Sequence, residues 1–176
     1  MEKKKDQEGI QMYAERLSSK KTEGLFIGLM TLFLLLAVWR ISTAGLDALA
    51  SLFLCFFLLF LFYSLNYRTL LITLSQRSLR LQFGVFSWTE HLDNIDACAL
   101  DEIPKLKRFG GAGIHFMFIH KRYRASFNFL EYPRVVMALK KKRGLVQDVS
   151  FSTTQPKKIL GLLGEAIGGK PSHGAK

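Results

Sequence analysis

The sequence predicts a pair of membrane-spanning helices followed by a small domain of about seven short antiparallel strands, which a C-terminal helix closes. Three observations predict this fold class. Two long apolar runs near the N-terminus contain no charged residue, apolar and polar residues alternate over much of 70–151, and a helical period returns near the end of the chain. Of the 176 residues, 49% are hydrophobic, which excludes an intrinsically disordered protein.

The two apolar runs, 24–39 and 48–65, predict a transmembrane hairpin with spans of about 24–41 and 47–65. Each run is rich in Leu and Phe, so its insertion into a bilayer is favoured by several kcal/mol, an order-of-magnitude figure from insertion scales. A soluble protein with two buried core helices is disfavoured, because the rest of the chain is too small and too charged to cover them. A cleaved signal peptide is disfavoured because the second run follows so closely.

The distribution of Lys and Arg predicts which side of the membrane each part occupies. Six basic residues precede the first span, the connecting segment holds only Arg40 and Asp47 as charged residues, and 18 basic residues follow the second span. The positive-inside rule therefore predicts a multi-pass protein of the cytoplasmic membrane, with both termini and the C-terminal domain in the cytoplasm.

Residues 1–23 form a cytoplasmic segment of mixed charge. Ile10, Tyr13 and Leu17 fall at helical spacing, which is typical of a short helix lying at the membrane interface. A frayed tail is the alternative.

The cytoplasmic domain spans 66–168 and is followed by a polar tail, 169–176. Alternation predicts strands from Leu70 onward, with Gly144 in a turn that needs a positive φ angle. A helical stripe then predicts the closing helix, with Thr153 or Thr154 as its N-cap and Pro156 in its first turn.

Four segments of this domain resemble the bacterial pleckstrin-homology-like family, in particular its membrane-anchored members with two spans followed by one such domain. They are LLITLSQRSLRLQFGVFSWTEHLDNIDACAL (70–100), RFGGAGI (108–114), RVVMALKKKRGLVQDVSFST (134–153) and QPKKILGLLGEAI (155–167). The resemblance implies an all-β or α+β roll of about seven antiparallel strands in two sheets, closed by a C-terminal helix. It implies no particular ligand, because a shared fold does not carry a binding site with it.

Enzymatic chemistry is not expected, and neither is a cofactor or a metal ion. Gly164 and the Gly169-Lys170 pair imitate a phosphate-binding loop, but Pro171 stands where such a loop has Ser or Thr. The four His residues are scattered, and the two Cys residues, Cys55 and Cys98, form no metal-ligand spacing.

Basic clusters are the remaining candidate contacts. The formal net charge is +11, and residues from 66 onward hold 18 basic and 8 acidic side chains. The candidate contacts for membrane or ligand lie in three clusters: Lys105, Lys107 and Arg108; Lys121, Arg122 and Arg124; and Lys140, Lys141, Lys142 and Arg143.

These features favour a non-enzymatic, membrane-anchored binding or scaffold protein that recruits a protein partner or assembles with itself. The alternative is a sensor of anionic lipid headgroups that uses the basic turns. A nucleic-acid-binding barrel is a remote alternative, because Phe116, Phe118, Tyr123 and Phe127 alternate with apolar residues and are expected in the core.

Overall fold

The computed structural model describes residues 10–103 and 112–168. The chain forms two compact units: a helical unit, Ser18–Thr69, and a sheet unit made of the described residues on either side of it. The elements are β1 (Gln11–Ser18), α1 (Lys20–Ala44), α2 (Ala48–Asn66), β2 (Thr69–Ser75), β3 (Ser78–Phe83), β4 (Phe86–His91), a 3-10 turn (Leu92–Asn94), β5 (Ile95–Leu100), β6 (Gly113–Ile119), β7 (Arg122–Asn128), β8 (Arg134–Arg143), β9 (Val146–Ser152) and α3 (Pro156–Ile167).

In the helical unit, α1 and α2 are both long and apolar enough to cross a membrane, as the two runs predict. The helices pack through aromatic rings: the ring of Phe33 lies 4.9 Å from that of Phe56, and the ring of Phe26 lies 5.8 Å from that of Tyr63. Only 6% of the residues in each apolar window are buried. The unit therefore presents apolar surface outward, whereas a soluble helical pair would cover it.

A polar side chain caps the N-terminal end of each helix. Ser19 caps α1 by accepting a hydrogen bond from the Thr22 N–H at 3.1 Å, and Asp47 caps α2 through the Ala50 N–H at 2.8 Å. Asp47 also forms an ion pair with Arg40 at 2.6 Å. An ion pair therefore joins the last part of α1 to the N-cap of α2.

The sheet unit contains two sheets, with strand orders β1-β2-β3-β4 and β5-β8-β9-β7-β6. About seven strands were expected over 66–168, and the described residues of that range contain eight, β2–β9. One expectation needs correction: the parallel pairing of β7 with β9 makes the second sheet mixed, where antiparallel strands were expected. Alternation identifies strands but not their neighbours, so the sequence could not predict that pairing.

The N-terminal segment differs most from its prediction. Residues 11–18 form strand β1 beside β2, so both the interfacial helix and the frayed tail were wrong for them. Tyr13 and Leu17 are buried, and Glu15 between them is half-buried. These three positions share one face because side chains alternate along a strand.

Helix α3 closes the sheet unit by packing against β5, β8 and the 3-10 turn, with Ile159 and Leu163 fully buried. Its N-cap is Gln155, which corrects the assignment to Thr153 or Thr154; Pro156 occupies the first turn as predicted. Gly168 ends the helix in a left-handed conformation, φ 95°. The polar tail, 169–176, lies outside the described residues.

Two glycines allow a matched test of this backbone. Gly144, in the β8–β9 turn, has a φ of 62°, and a Cβ there would meet no atom within 4 Å. Gly144→Ala should lower the free energy of unfolding by about 1 kcal/mol through backbone strain alone. Gly161→Ala, equally open but within α3, should raise it by a similar amount because alanine is the better helix former. Denaturant titration of both variants measures the two signs, and a stabilising Gly144→Ala would contradict the turn geometry.

Candidate functional site

The three basic clusters have different surroundings in the structure. Lys105, Lys107 and Arg108 lie outside the described residues. In each of the other two clusters, some side chains make internal contacts and others are exposed to solvent. The sequence does not distinguish the members of a cluster, whereas the fold does.

The cluster Lys140–Arg143 forms one wall of a groove of about 420 Å³, which we call the basic groove; Glu90, His91, Asp93 and Asn94 form the other wall. The Lys140 ammonium donates to the Asp93 carbonyl at 2.9 Å. The Asn94 side chain donates to the Lys141 carbonyl and accepts from the Lys141 N–H. The 3-10 turn therefore fixes the backbone of the basic strand end.

Arg143 is held at the same wall by β4. Its Nη1 donates to the Thr89 carbonyl at 2.6 Å, and its guanidinium carbon lies 4.6 Å from the centre of the Trp88 ring. The Trp88 indole N–H in turn donates to Glu90 at 3.2 Å. Lys141 and Lys142 remain exposed, and among the described residues their ammonium groups make no hydrogen bond or ion pair. These two cations are the ones that a ligand of this groove could bind.

The second cluster contributes mainly to a buried ion-pair network. Arg124 is only 8% exposed and faces Asp101 and Asp148, at 3.3 and 3.6 Å. Arg122 is bound to Asp148 at 2.8 Å, and Arg134 to Asp101 at 2.7 Å. Because buried charges are stable only when paired, this network is first of all structural. Arg122 pairs with Asp148 but its side chain is still 44% exposed, and Lys121 is exposed as well.

Arg134, Asp101 and Asp148 were not singled out from the sequence. They lie on β8, just after β5 and on β9, at positions that alternation would assign to a solvated face. Asp101 follows β5 directly, and its N–H donates to the Arg134 carbonyl at 2.9 Å. No sequence signal distinguishes a buried polar face of a sheet from an exposed one.

Two of the four aromatic residues expected in the core are exposed instead. Phe127 is 2% exposed, in contact with Phe83 and Trp88, but Phe116 is 54% and Phe118 is 75% exposed. Both lie on β6, which pairs with β7 alone among the strands that the structure describes. The Tyr123 ring packs against both, at 6.1 and 4.9 Å.

Glu15 joins strand β1 to the start of α3 and was also missed by the sequence analysis. Its carboxylate accepts hydrogen bonds from the Thr153 hydroxyl at 2.5 Å, the Thr154 N–H at 2.8 Å, the Thr154 hydroxyl and the Tyr13 hydroxyl at 2.8 Å. The two-residue spacing of Tyr13, Glu15 and Leu17 was the available signal. Thr153 and Thr154 thus bind Glu15, and Thr153 also accepts from the Gln155 N–H at 3.1 Å.

The pKa values of this contact follow from its geometry. Burial alone would raise the pKa of Glu15, but the hydrogen bonds from Thr153, Thr154 and Tyr13 outweigh it and hold the pKa below its ordinary value. Burial, followed by the neighbouring Glu15 carboxylate, raises the pKa of Tyr13 to about 12. The contact is therefore formed by an ionised Glu15 and a protonated Tyr13 at neutral pH.

Glu15→Gln should lower the free energy of unfolding by about 2 kcal/mol at pH 7, since charge-assisted hydrogen bonds are lost. The pKa of Glu15 is depressed in the folded state, so its contribution is present above the ordinary value of 4.5 and is lost as the pH falls through the folded pKa. The difference between wild type and variant should therefore shrink below pH 4.5, measured by denaturant unfolding across pH. Glu131→Gln, at an exposed position, is the control; a pH-independent difference would contradict the ionised contact.

No metal centre or family match adds to this description. Within 10–103 and 112–168, no three His, Cys, Asp or Glu side chains come together as a metal-ligand set. The chain matches no family model, and no curated protein or solved structure is significantly similar to it. The resemblance to the bacterial pleckstrin-homology-like family therefore stays a prediction.

Proposed function

We propose that this chain is a non-enzymatic, membrane-anchored binding or scaffold protein. In this proposal α1 and α2 span the cytoplasmic membrane, and the sheet unit is held at its cytoplasmic face, where it recruits a protein partner or assembles with itself. The observation that carries the proposal is the apolar surface that both helices present outward. Only 6% of the residues in the apolar window of each helix are buried.

The connectivity of the chain supports a two-span anchor with both ends on one side. α1 follows β1 after the single residue Ser19, and α2 precedes β2 by the two residues Tyr67 and Arg68. Since β1 and β2 are neighbours in one sheet, the N-terminal end of α1 and the C-terminal end of α2 must emerge on the same side. The basic residues flanking these ends favour the cytoplasmic side.

A pleckstrin-homology-like roll is the finer form of the proposed fold. Two sheets and a closing C-terminal helix support it, whereas the parallel pair of β7 and β9 departs from an antiparallel roll. Because the fold implies no ligand, the proposal of a binding function depends on the surface of the sheet unit.

Binding of anionic lipid headgroups is the alternative function, and the exposed ammonium groups of Lys141 and Lys142 favour it. Both lysines lie in one wall of the basic groove, and Glu90, His91, Asp93 and Asn94 form the other wall.

Membrane extraction and cysteine accessibility test the proposed anchoring. In a background of Cys55→Ser and Cys98→Ser, Leu46→Cys should react with an impermeant maleimide added to intact cells, and Leu145→Cys should react only after lysis. Both positions are highly exposed, at 73% and 72%, so the comparison is matched. The protein should also resist carbonate extraction. Release by carbonate, or labelling of Leu145→Cys from outside, would overturn the anchoring and orientation.

A further inference from the structure

One end of the sheet unit carries an apolar β-turn. The β3–β4 hairpin turns at Gly84 and Val85, which have no polar side chain, and β4 then begins at Phe86. Val85 is 76% exposed and Phe86 is 40% exposed. Turns that face water are dominated by Gly, Pro, Asn, Asp and Ser, so an exposed Val-Phe pair at a hairpin tip indicates an apolar neighbour.

A second turn adds apolar side chains at the same end. Phe86 pairs with Phe83 across the hairpin, and the Phe83 ring lies 5.3 Å from that of Phe129, which follows β7 directly. The next residue, Leu130, is 47% exposed, and the Tyr132 ring lies 6.3 Å from that of Phe129. We call the side chains that the two turns present here the apolar end: Val85, Phe86, Leu130 and Tyr132.

The peptide chain limits the distance between the apolar end and the second helix. Helix α2 ends at Asn66, and Leu70, four residues later, pairs with Phe83. Four residues reach about 14 Å at most when fully extended, and paired Cα atoms in an antiparallel ladder are about 5 Å apart. Phe83 therefore lies within about 20 Å of the end of α2, whichever way the two units are turned. The apolar turn begins at the next residue, Gly84.

We propose that the apolar end lies in the headgroup layer of the bilayer that α1 and α2 cross, with Val85 and Phe86 as the inserted side chains. Tyr132 suits this layer, since tyrosine is enriched where apolar and hydrated surroundings meet. Glu131 is exposed, so its carboxylate can stay in the hydrated part of the layer.

A bilayer is favoured over a partner in solution because the chain itself holds the apolar end near it. With a short tether, contact with lipid is an intramolecular event at high effective concentration, whereas a soluble partner must bind from dilute solution. The inference rests on the proposed function, since it requires α2 to span the membrane. It adds which side of the sheet unit faces the lipid.

Single copies of the full chain in nanodiscs of zwitterionic phosphatidylcholine allow the test. In a background of Cys55→Ser and Cys98→Ser, a polarity-sensitive dye is attached at Val85→Cys or at Leu145→Cys, two positions exposed at 76% and 72%. The dye at Val85→Cys should emit at shorter wavelength and lose intensity to lipids that carry a headgroup nitroxide. The dye at Leu145→Cys, in the β8–β9 turn, should be quenched instead by a nitroxide in solution.

A second variant separates the contact from the dye. In a chain labelled at Leu130→Cys, Val85→Asp should lower the ratio of lipid-shielded to water-exposed dye about tenfold, which corresponds to about 1.4 kcal/mol. Leu145→Asp is the matched control and should leave this ratio unchanged. Both substitutions are in exposed turns, so the sheet unit should stay folded in either variant.

Three outcomes would overturn the inference. They are equal quenching of both dyes from solution, equal effects of Val85→Asp and Leu145→Asp, and shielding that appears only in nanodiscs with two copies, which would identify a second copy as the occupant. A chain that stays in the nanodisc with a water-exposed dye at Val85→Cys contradicts this inference alone. Release of the chain from membranes by carbonate contradicts the proposed function instead.

Discussion

Asp101→Asn is expected to lower the free energy of unfolding of the sheet unit by about 3–5 kcal/mol, the effect of removing one partner from a buried ion pair. The Asp101 carboxylate faces Arg134 at 2.7 Å and Arg124 at 3.3 Å, and the Asp101 and Arg134 side chains are 3% and 1% exposed. The substitution keeps the shape of the side chain and leaves two guanidinium groups short of negative charge. Denaturant unfolding in detergent, followed by Trp88 fluorescence in a Trp39→Phe background, measures the loss.

Asp96→Asn is the matched control for that experiment. Asp96 lies on β5, the strand that Asp101 follows, but its side chain is exposed. The identical change there should alter the free energy of unfolding by less than about 0.5 kcal/mol. Equal effects of the two substitutions would contradict the buried network.

A charge at the middle of α1 should have the second large effect, this time on membrane insertion. Leu32→Arg puts a guanidinium near the centre of the 25-residue helix, at a position 48% exposed. Insertion scales assign Arg a cost of about 2.5–3.5 kcal/mol there, comparable with the whole favourable free energy of the run. Because α2 can still hold the chain in the membrane, the measurement is the labelling of Leu46→Cys by the impermeant maleimide in intact cells, which should fall sharply.

Leu25→Arg makes the same change close to the N-terminal end of α1, where the position is 59% exposed. From there the guanidinium can reach the interface beside Lys20 and Lys21, so the variant should stay in the membrane. If Leu46→Cys is labelled from outside as strongly with Leu32→Arg as with Leu25→Arg, Leu32 does not lie at the centre of the membrane, and the proposed two-span anchor fails.

Much of the helical unit could be predicted because its signal is local. A charge-free apolar run of sufficient length has few alternatives, and the expected spans match α1 and α2 within a few residues. The strands from β2 onward were found in the same way, by alternation. Strand β1 was missed because Tyr13 and Leu17 are four residues apart, a spacing that fits a helix as well as a strand. The segment is a strand because it pairs with β2, which is distant in the sequence.

The candidate sites were less predictable because they depend on which strands become neighbours. Arg124 and Lys121 belong to one basic cluster in the sequence, yet Arg124 is buried beside Asp148 of a different hairpin and Lys121 is exposed. Phe118 likewise is exposed on β6, which pairs with β7 alone among the described strands, and the alternation of β6 did not indicate this exposure. Long-range pairing leaves no mark in a local pattern.

In the sequence, α1 and α2 lie between β1 and β2, which are neighbours in one sheet, and this order affects biosynthesis. During translation β1 leaves the ribosome first, but its partner β2 follows only after about fifty more residues have been made. Until then β1 is an unpaired strand that the nascent chain must keep from aggregating. In the proposed topology, a chain with only one of the two helices inserted would hold β1 and β2 on opposite sides of the membrane and could not complete the four-stranded sheet.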